Sequence, residues 1–322
     1  MSFFDELPPG RNTDETEERE SMIVGAVVSQ QHDPFEWWGV EVADKDGNQL
    51  TFYIMRDALK IEGVRINVSA TGAQQIADVL GALLPTALMT DLTWESAFQL
   101  PPSPQQITSS TKAMIAHSER VDALIGGHDD ELVADVGKYW ILTNKLVQRP
   151  PGARLPAGIV SANYGWHFKG ENFQGLRGEQ AVSLRERVIQ GVGLAHDRWH
   201  TDYSQVCRLV SAYATLNDQK VFLADVLTDP DTAHLVSNEG VLVTTRQPAV
   251  DPIACPLPPS IAGLGQCPLP DEPGWPAGAP AGKMLGTEGG VFGSSMIGIL
   301  GKSLLIGGVG VGAYALARRF FP

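Results

Sequence analysis

The stretch LAHDRWHTDYSQ, residues 194–205, holds two of the chain's seven histidines, four positions apart. In a helix, His196 and His200 would share a face at a spacing that suits a metal ion. The glutamate of an HExxH motif is absent, so the zinc-protease form of that reading fails. In an extended chain, His200 and Asp202 share a face instead, and the carboxylate can orient the imidazole as a base or as a ligand. The β-rich QVCRLVS that follows favours extension. It would then set His196 about 13 Å from His200 at about 3.3 Å per residue, too far to share an ion. Tyr203 and Ser204 add hydroxyl groups beside them.

Three further residues have chemistry to offer. His167 closes GIVSANYGWHF, which reads as a buried strand, and a side chain at a strand end can reach a cleft. Glu239 in SNEG suits proton transfer, and His117 is another imidazole candidate. Three histidines with Asp202 would suffice for a divalent cation such as zinc with one open position. In that scheme His167 and His200 bind the metal or move protons, Asp202 orients His200, and Glu239 is the acid/base. The competing reading is structural: polar side chains satisfying loop backbone groups over packed tryptophans. Cys207 sits in the hydrophobic run VCRLVS and reads as packing, and no GxSxG context supports a serine nucleophile.

The elements that must position these residues follow from local pattern. SMIVGAVVSQ, WWGVEVA and QLTFYIM are β-rich, and DKDGN between the last two is a hairpin turn with Gly47 free to take positive φ. TGAQQIADVLGALL has helical spacing, capped by Thr71 and stopped by Pro85. TALMTDLTWESAFQL and TKAMIAHSERVDALI read as further helices, and ELVADVGKYWILTNKLV starts helical and turns β-like at YWILT. VCRLVSAYATL and KVFLADVL flank NDQ as a hairpin, DPDTAHLV is a short helix, and GVLVTT a last strand. Short strands and helices without a βαβ rhythm give an α+β class with a mixed or antiparallel sheet.

Charge and composition divide the 322 residues into four. Residues 1–22 carry −5 and read as an acidic, disordered arm; 23–247 form the α+β domain. Residues 248–289 are a Pro/Gly-rich linker, and 290–322 a hydrophobic membrane-type helix. Val291–Ala317 is 27 residues with one charge, Lys302, against the about 20 apolar residues that a bilayer core requires. Gly308 and Gly312 would allow close helix approach and self-association. The N-terminus lacks the basic start and apolar run of a cleaved signal, so the expected location is a membrane, tail-anchored or within a virion. A net charge of −13 argues against a nucleic-acid partner. Cys255 and Cys267 flank a proline-rich loop and are read as two free thiols, with a disulfide as the alternative.

The segments LPTALMTDLTWESA, IVSANYGWH, HTDYSQVCRLVS and SNEG together resemble a family of bacterial and phage-encoded proteins with no established activity. The likeness spans residues 60–245. It implies a phage or cell-envelope context and nominates His167, His200, Asp202, Tyr203, Ser204, Arg208 and Glu239 without giving their roles. The functional expectation is a membrane-anchored, hydrolase-like protein acting on peptidoglycan. The alternative is a non-catalytic virion or membrane-interacting protein.

Overall fold

The computed structural model describes residues 2–105, 109–168 and 188–253. All of them belong to the first of two units, Met1–Met284 and Leu285–Pro322. The expectations for Cys255, Cys267, the linker beyond residue 253 and the membrane helix lie outside the described residues. Among the described residues no helix is long and apolar enough to cross a membrane.

The acidic N-terminus is helical, which corrects the reading of residues 1–22 as a disordered arm. After the short α1 (Phe3–Glu6), α2 (Thr13–Val28) starts at Asn12, whose Oδ1 accepts from the Glu15 N–H at 2.9 Å. Acidic residues in the first turn favour this end of the helix dipole. The run SMIVGAVV is the second half of this helix, not a strand, and buries Ile23 and Val27 completely. Polar side chains also tie α2 down. Buried Arg19 donates from Nη1 to Asn67 Oδ1 at 2.7 Å, and Glu20 accepts from the Ser69 N–H and hydroxyl at 2.5 and 2.6 Å.

β1 (Trp37–Ala43) and β2 (Gln49–Met55) form the expected hairpin, with Gly47 at φ +92°. Asp44 Oδ1 accepts from the Asp46 and Asn48 N–H groups to close the turn, while Leu50, Phe52 and Ile54 alternate into the core. β3 (Lys60–Ile61) pairs with β4 (Val64–Arg65). α3 (Ala70–Leu80) is capped by Ser69 and not Thr71. It ends at Gly81 in left-handed geometry, before Pro85, leaving β5 (Ala82–Leu83) extended. α4 (Ala87–Ser96) is shorter than its apolar pattern, because β6 (Phe98–Gln99) pairs in parallel with β7 (Val133–Ala134). Between these two strands lies α5 (Thr111–Ile125), as the spacing predicts. That β6–β7 pairing also overrides the helical start expected for ELVADV.

β8 (Lys138–Trp140), β9 (Asn163–His167) and β10 (Val188–Gly193) form an antiparallel sheet in the order β10-β9-β8. β11 (Val210–Leu216) and β12 (Gln219–Phe222) are the expected hairpin, followed by α6 (Leu223–Thr228). They complete a five-stranded antiparallel sheet in the order β1-β2-β11-β12, with β5 also paired to β11. GVLVTT forms no strand. Val241 and Val243 are exposed, and the Asn144 side chain takes up the backbone groups there. The class is mixed α+β with antiparallel sheets and several helices.

Candidate functional site

The segment 204–206 lies directly against β8. The Lys138 N–H donates to Ser204 O at 2.7 Å, and Lys138 bridges Gln205 in parallel. Gly137 makes this approach possible, since a Cβ there would stand 2.6 Å from Ser204 O. The contact carries Asp202 to Lys138, whose Nζ donates to Asp202 Oδ2 at 2.9 Å while both residues are buried. Asp202 Oδ1 accepts from the Ser204 N–H and hydroxyl at 2.8 and 2.6 Å. Burial penalises the Asp202 charge, but Lys138 and the Ser204 hydrogen bonds outweigh it and hold the carboxyl below its ordinary value. The Lys138 ammonium also lies over the Trp166 ring, 5.5 Å from its centroid.

Upstream, the chain turns. His200 N–H donates to Asp197 O at 3.3 Å, and Asp197 Oδ1 accepts from the Trp199 N–H at 3.0 Å. This turn stacks the His196 and His200 rings, 3.8 Å between centroids and 7° from parallel. The expected extended segment and its 13 Å separation are therefore corrected. An aspartate closing a local turn competes with extension, and here it wins. His196 is fixed from behind, its carbonyl accepting from the Ser161 N–H at 3.0 Å.

Both imidazoles are partly buried and neutral at pH 7. Burial lowers His196 to about 4, with His200 and Lys138 pushing the same way. Burial also lowers His200, against the pull of Asp202. His200 Nε2 is buried without a hydrogen-bond partner, as are Thr201 Oγ1, Trp166 Nε1 and both amide atoms of Asn163. Each such atom costs about 1–3 kcal/mol unless a ligand or water completes it. The cluster therefore offers two neutral imidazoles, a neutralised lysine and uncommitted hydrogen-bonding atoms. It can take a proton and bind a polar group.

The chain matches no family model, no curated protein and no solved structure. The geometry alone must carry the reading.

His167 stands apart from this cluster. Its Nδ1 bonds Asp135 Oδ2 at 2.7 Å and its Nε2 bonds Asp91 Oδ1 at 2.8 Å, with the Trp94 ring stacked on it at 5.2 Å. Asp91 also accepts from the Tyr164 hydroxyl at 2.6 Å, and Tyr164 is opposite Tyr139 in the β8–β9 register. Tyr139 follows Lys138, and neighbouring strand residues face opposite ways. The Tyr139 hydroxyl also donates to Asp135, at 3.5 Å, so His167 is grouped with Tyr139, Tyr164, Asp91 and Asp135. Burial opposes its charge, but Asp135 and Asp91 together raise His167 to about 9. An imidazolium bonded at both nitrogens has no lone pair for a metal. The joint His167–His200 metal or proton-shuttle site is corrected on both counts. Among the described residues no three His, Cys, Asp or Glu side chains are grouped to hold a metal ion.

The other nominated residues serve the scaffold. Asp202 spends its carboxylate on Lys138 and Ser204, with no hydrogen bond to His200, so the orienting pair is also corrected. Buried Ser204 donates its hydroxyl to Asp202. The Tyr203 hydroxyl accepts from the Gln105 N–H at 2.6 Å. His117 is buried on α5 with Nε2 against Val136 O, and burial lowers it to about 4. Arg208 ties the end of β2 to β7 through Met55 O, Arg56 O and Val133 O. Glu239 accepts from the Thr143 hydroxyl and from the Asn144 N–H, which holds the start of the turn Asn144–Leu146.

Lys138, Asn163 and Asp135 were missed in the sequence. GKYW gives no hint of a buried cation, because its acidic partner is 64 residues away.

Proposed function

We propose that the chain is a phage- or envelope-associated hydrolase acting on peptidoglycan, attached to a bilayer through residues 291–317. His200 is its general base, with His196 stacked against it. The observation that carries this reading is the neutral, partly exposed imidazole pair, with one nitrogen unpartnered, beside the Lys138–Asp202 ion pair. His200 would take the proton of a water whose oxygen adds to the scissile centre. The resulting imidazolium returns that proton to the leaving group.

The test is release of soluble fragments from purified cell-wall sacculi. His200→Ala is expected to lower the rate about 10²- to 10⁴-fold while leaving the thermal midpoint nearly unchanged. Wild-type protein that releases nothing from any wall preparation, or His200→Ala that matches it, sinks the proposal.

A second reading is a non-catalytic virion or membrane-interacting protein. It draws support from Arg208, Tyr203, Ser204 and Glu239, four motif residues whose side chains are all engaged within the scaffold. Removal of residues 290–322 should shift the protein from membrane pellet to supernatant under either reading, so only the sacculus assay separates them.

A further inference from the structure

Four large apolar side chains are exposed among the described residues, and Trp199, 48% exposed, is the one aromatic of the four. An indole left in water forfeits about 1.5–3 kcal/mol of burial, so its placement calls for a reason. Its mounting is rigid. The Asp197 carboxylate accepts from the Trp199 backbone N–H, and Asp197 bridges Val160. On its other side, Arg198 N–H donates to Ile159 O at 2.8 Å, and Arg198 O accepts from the Thr71 N–H and hydroxyl at 2.9 and 3.0 Å. The Arg198 guanidinium lies over the ring, 4.4 Å from its centroid. One face of the indole is thereby backed by a cation, while the residue stays about half exposed.

We infer that Trp199 is the stacking platform of a saccharide subsite at the mouth of the His196–His200 turn. The aliphatic C–H face of a pyranose carries slight positive charge and suits the negative face of an indole. Its hydroxyls need donors and acceptors around the ring. Arg198 Nε and His200 Nε2, on the residues either side of Trp199, and Thr201 Oγ1 one residue further are buried and without a hydrogen-bond partner. The chain's net charge of −13 opposes anionic lipid. The subsite rests on the reading that this turn faces the wall polymer, and it names the glycan strand as the part recognised.

Binding and turnover are measured separately on the full-length protein. The probe is a soluble β-1,4-linked N-acetylglucosamine tetramer, titrated by calorimetry. Wild type is expected to bind saturably, Trp199→Ala about tenfold or more weakly, and Trp199→Phe within about threefold of wild type. Val243→Ala, a control at another exposed apolar position, should bind like wild type. Absence of saturable binding by wild type overturns the subsite, as does equal binding by Trp199→Ala. A Trp199→Ala defect confined to phosphatidylglycerol vesicles overturns it too, in favour of a lipid contact. Trp199-dependent tetramer binding without any sacculus hydrolysis would uphold the subsite and remove the hydrolase reading alone.

Discussion

One carboxylate oxygen of Asp135 serves His167 twice, accepting from its backbone N–H at 2.5 Å and from its ring Nδ1 at 2.7 Å. The second ring nitrogen is held by Asp91, so the imidazole is locked as a cation between two acids.

This lock gives stability a defined pH dependence. His167 is raised to about 9 in the fold, against about 6.5 in an unfolded chain. The folded state therefore holds its proton more tightly. The contribution is full below about pH 6.5 and is lost as pH rises through about 9, with a size on the order of 3 kcal/mol. Urea midpoints should fall across that window. His167→Gln should be less stable at pH 6 and show a flatter profile; a wild-type midpoint constant from pH 6.5 to 9 would contradict the lock.

Gly137 is the second point of sensitivity. A methyl group there meets the Ser204 carbonyl, which is backbone and cannot swing aside. Gly137→Ala should cost about 1–3 kcal/mol or more in equilibrium unfolding. Because the same contact seats Asp202 on Lys138, turnover should fall with it.

Glu239 separates scaffold from chemistry. Glu239→Ala removes the acceptor of the solvent-exposed Asn144 N–H and should lower stability by about 0.5–1.5 kcal/mol in thermal unfolding. Sacculus hydrolysis by the folded variant should be unchanged. Loss of turnover with stability intact would return Glu239 to the reaction.

The N-terminal helix should be indispensable. Deleting residues 2–28 strips Ile23 and Val27 from the core, each worth about 1.5–3 kcal/mol, and removes the partners of Asn67 and Ser69. The sum approaches the whole stability of a typical domain, about 5–15 kcal/mol. The truncated protein is expected to lose its near-ultraviolet circular dichroism. A native spectrum would show α2 to be dispensable.

Elements whose signal is local were legible in the sequence. The β1–β2 hairpin announces itself through DKDGN, α5 through its 3.6-residue spacing, and β9 through GIVSANYGWHF, which reads as a buried strand. α2 was not, since a short apolar stretch such as MIVGAVV fits strand and helix equally. Its deciding signal was Asn12 followed by Glu15, hidden in what reads as charged tail. The site was legible in part. His200 and His196 lie in one cluster, but their stacking depends on a turn that Asp197 sets. His167 was nominated as a strand-end imidazole for a metal or a proton, yet its partners are 32 and 76 residues away and no spacing rule reaches them.

The place of β11 in the large sheet has a consequence for biosynthesis. β2 lies between β1 and β11, yet Val210 emerges from the ribosome roughly 150 residues after Met55. At about 5–20 residues per second, β2 waits about 8–30 s with one edge open. An open apolar edge is a template for pairing with other chains. A nascent chain stalled before residue 210 should therefore be held by chaperones, and one released after β12 should not.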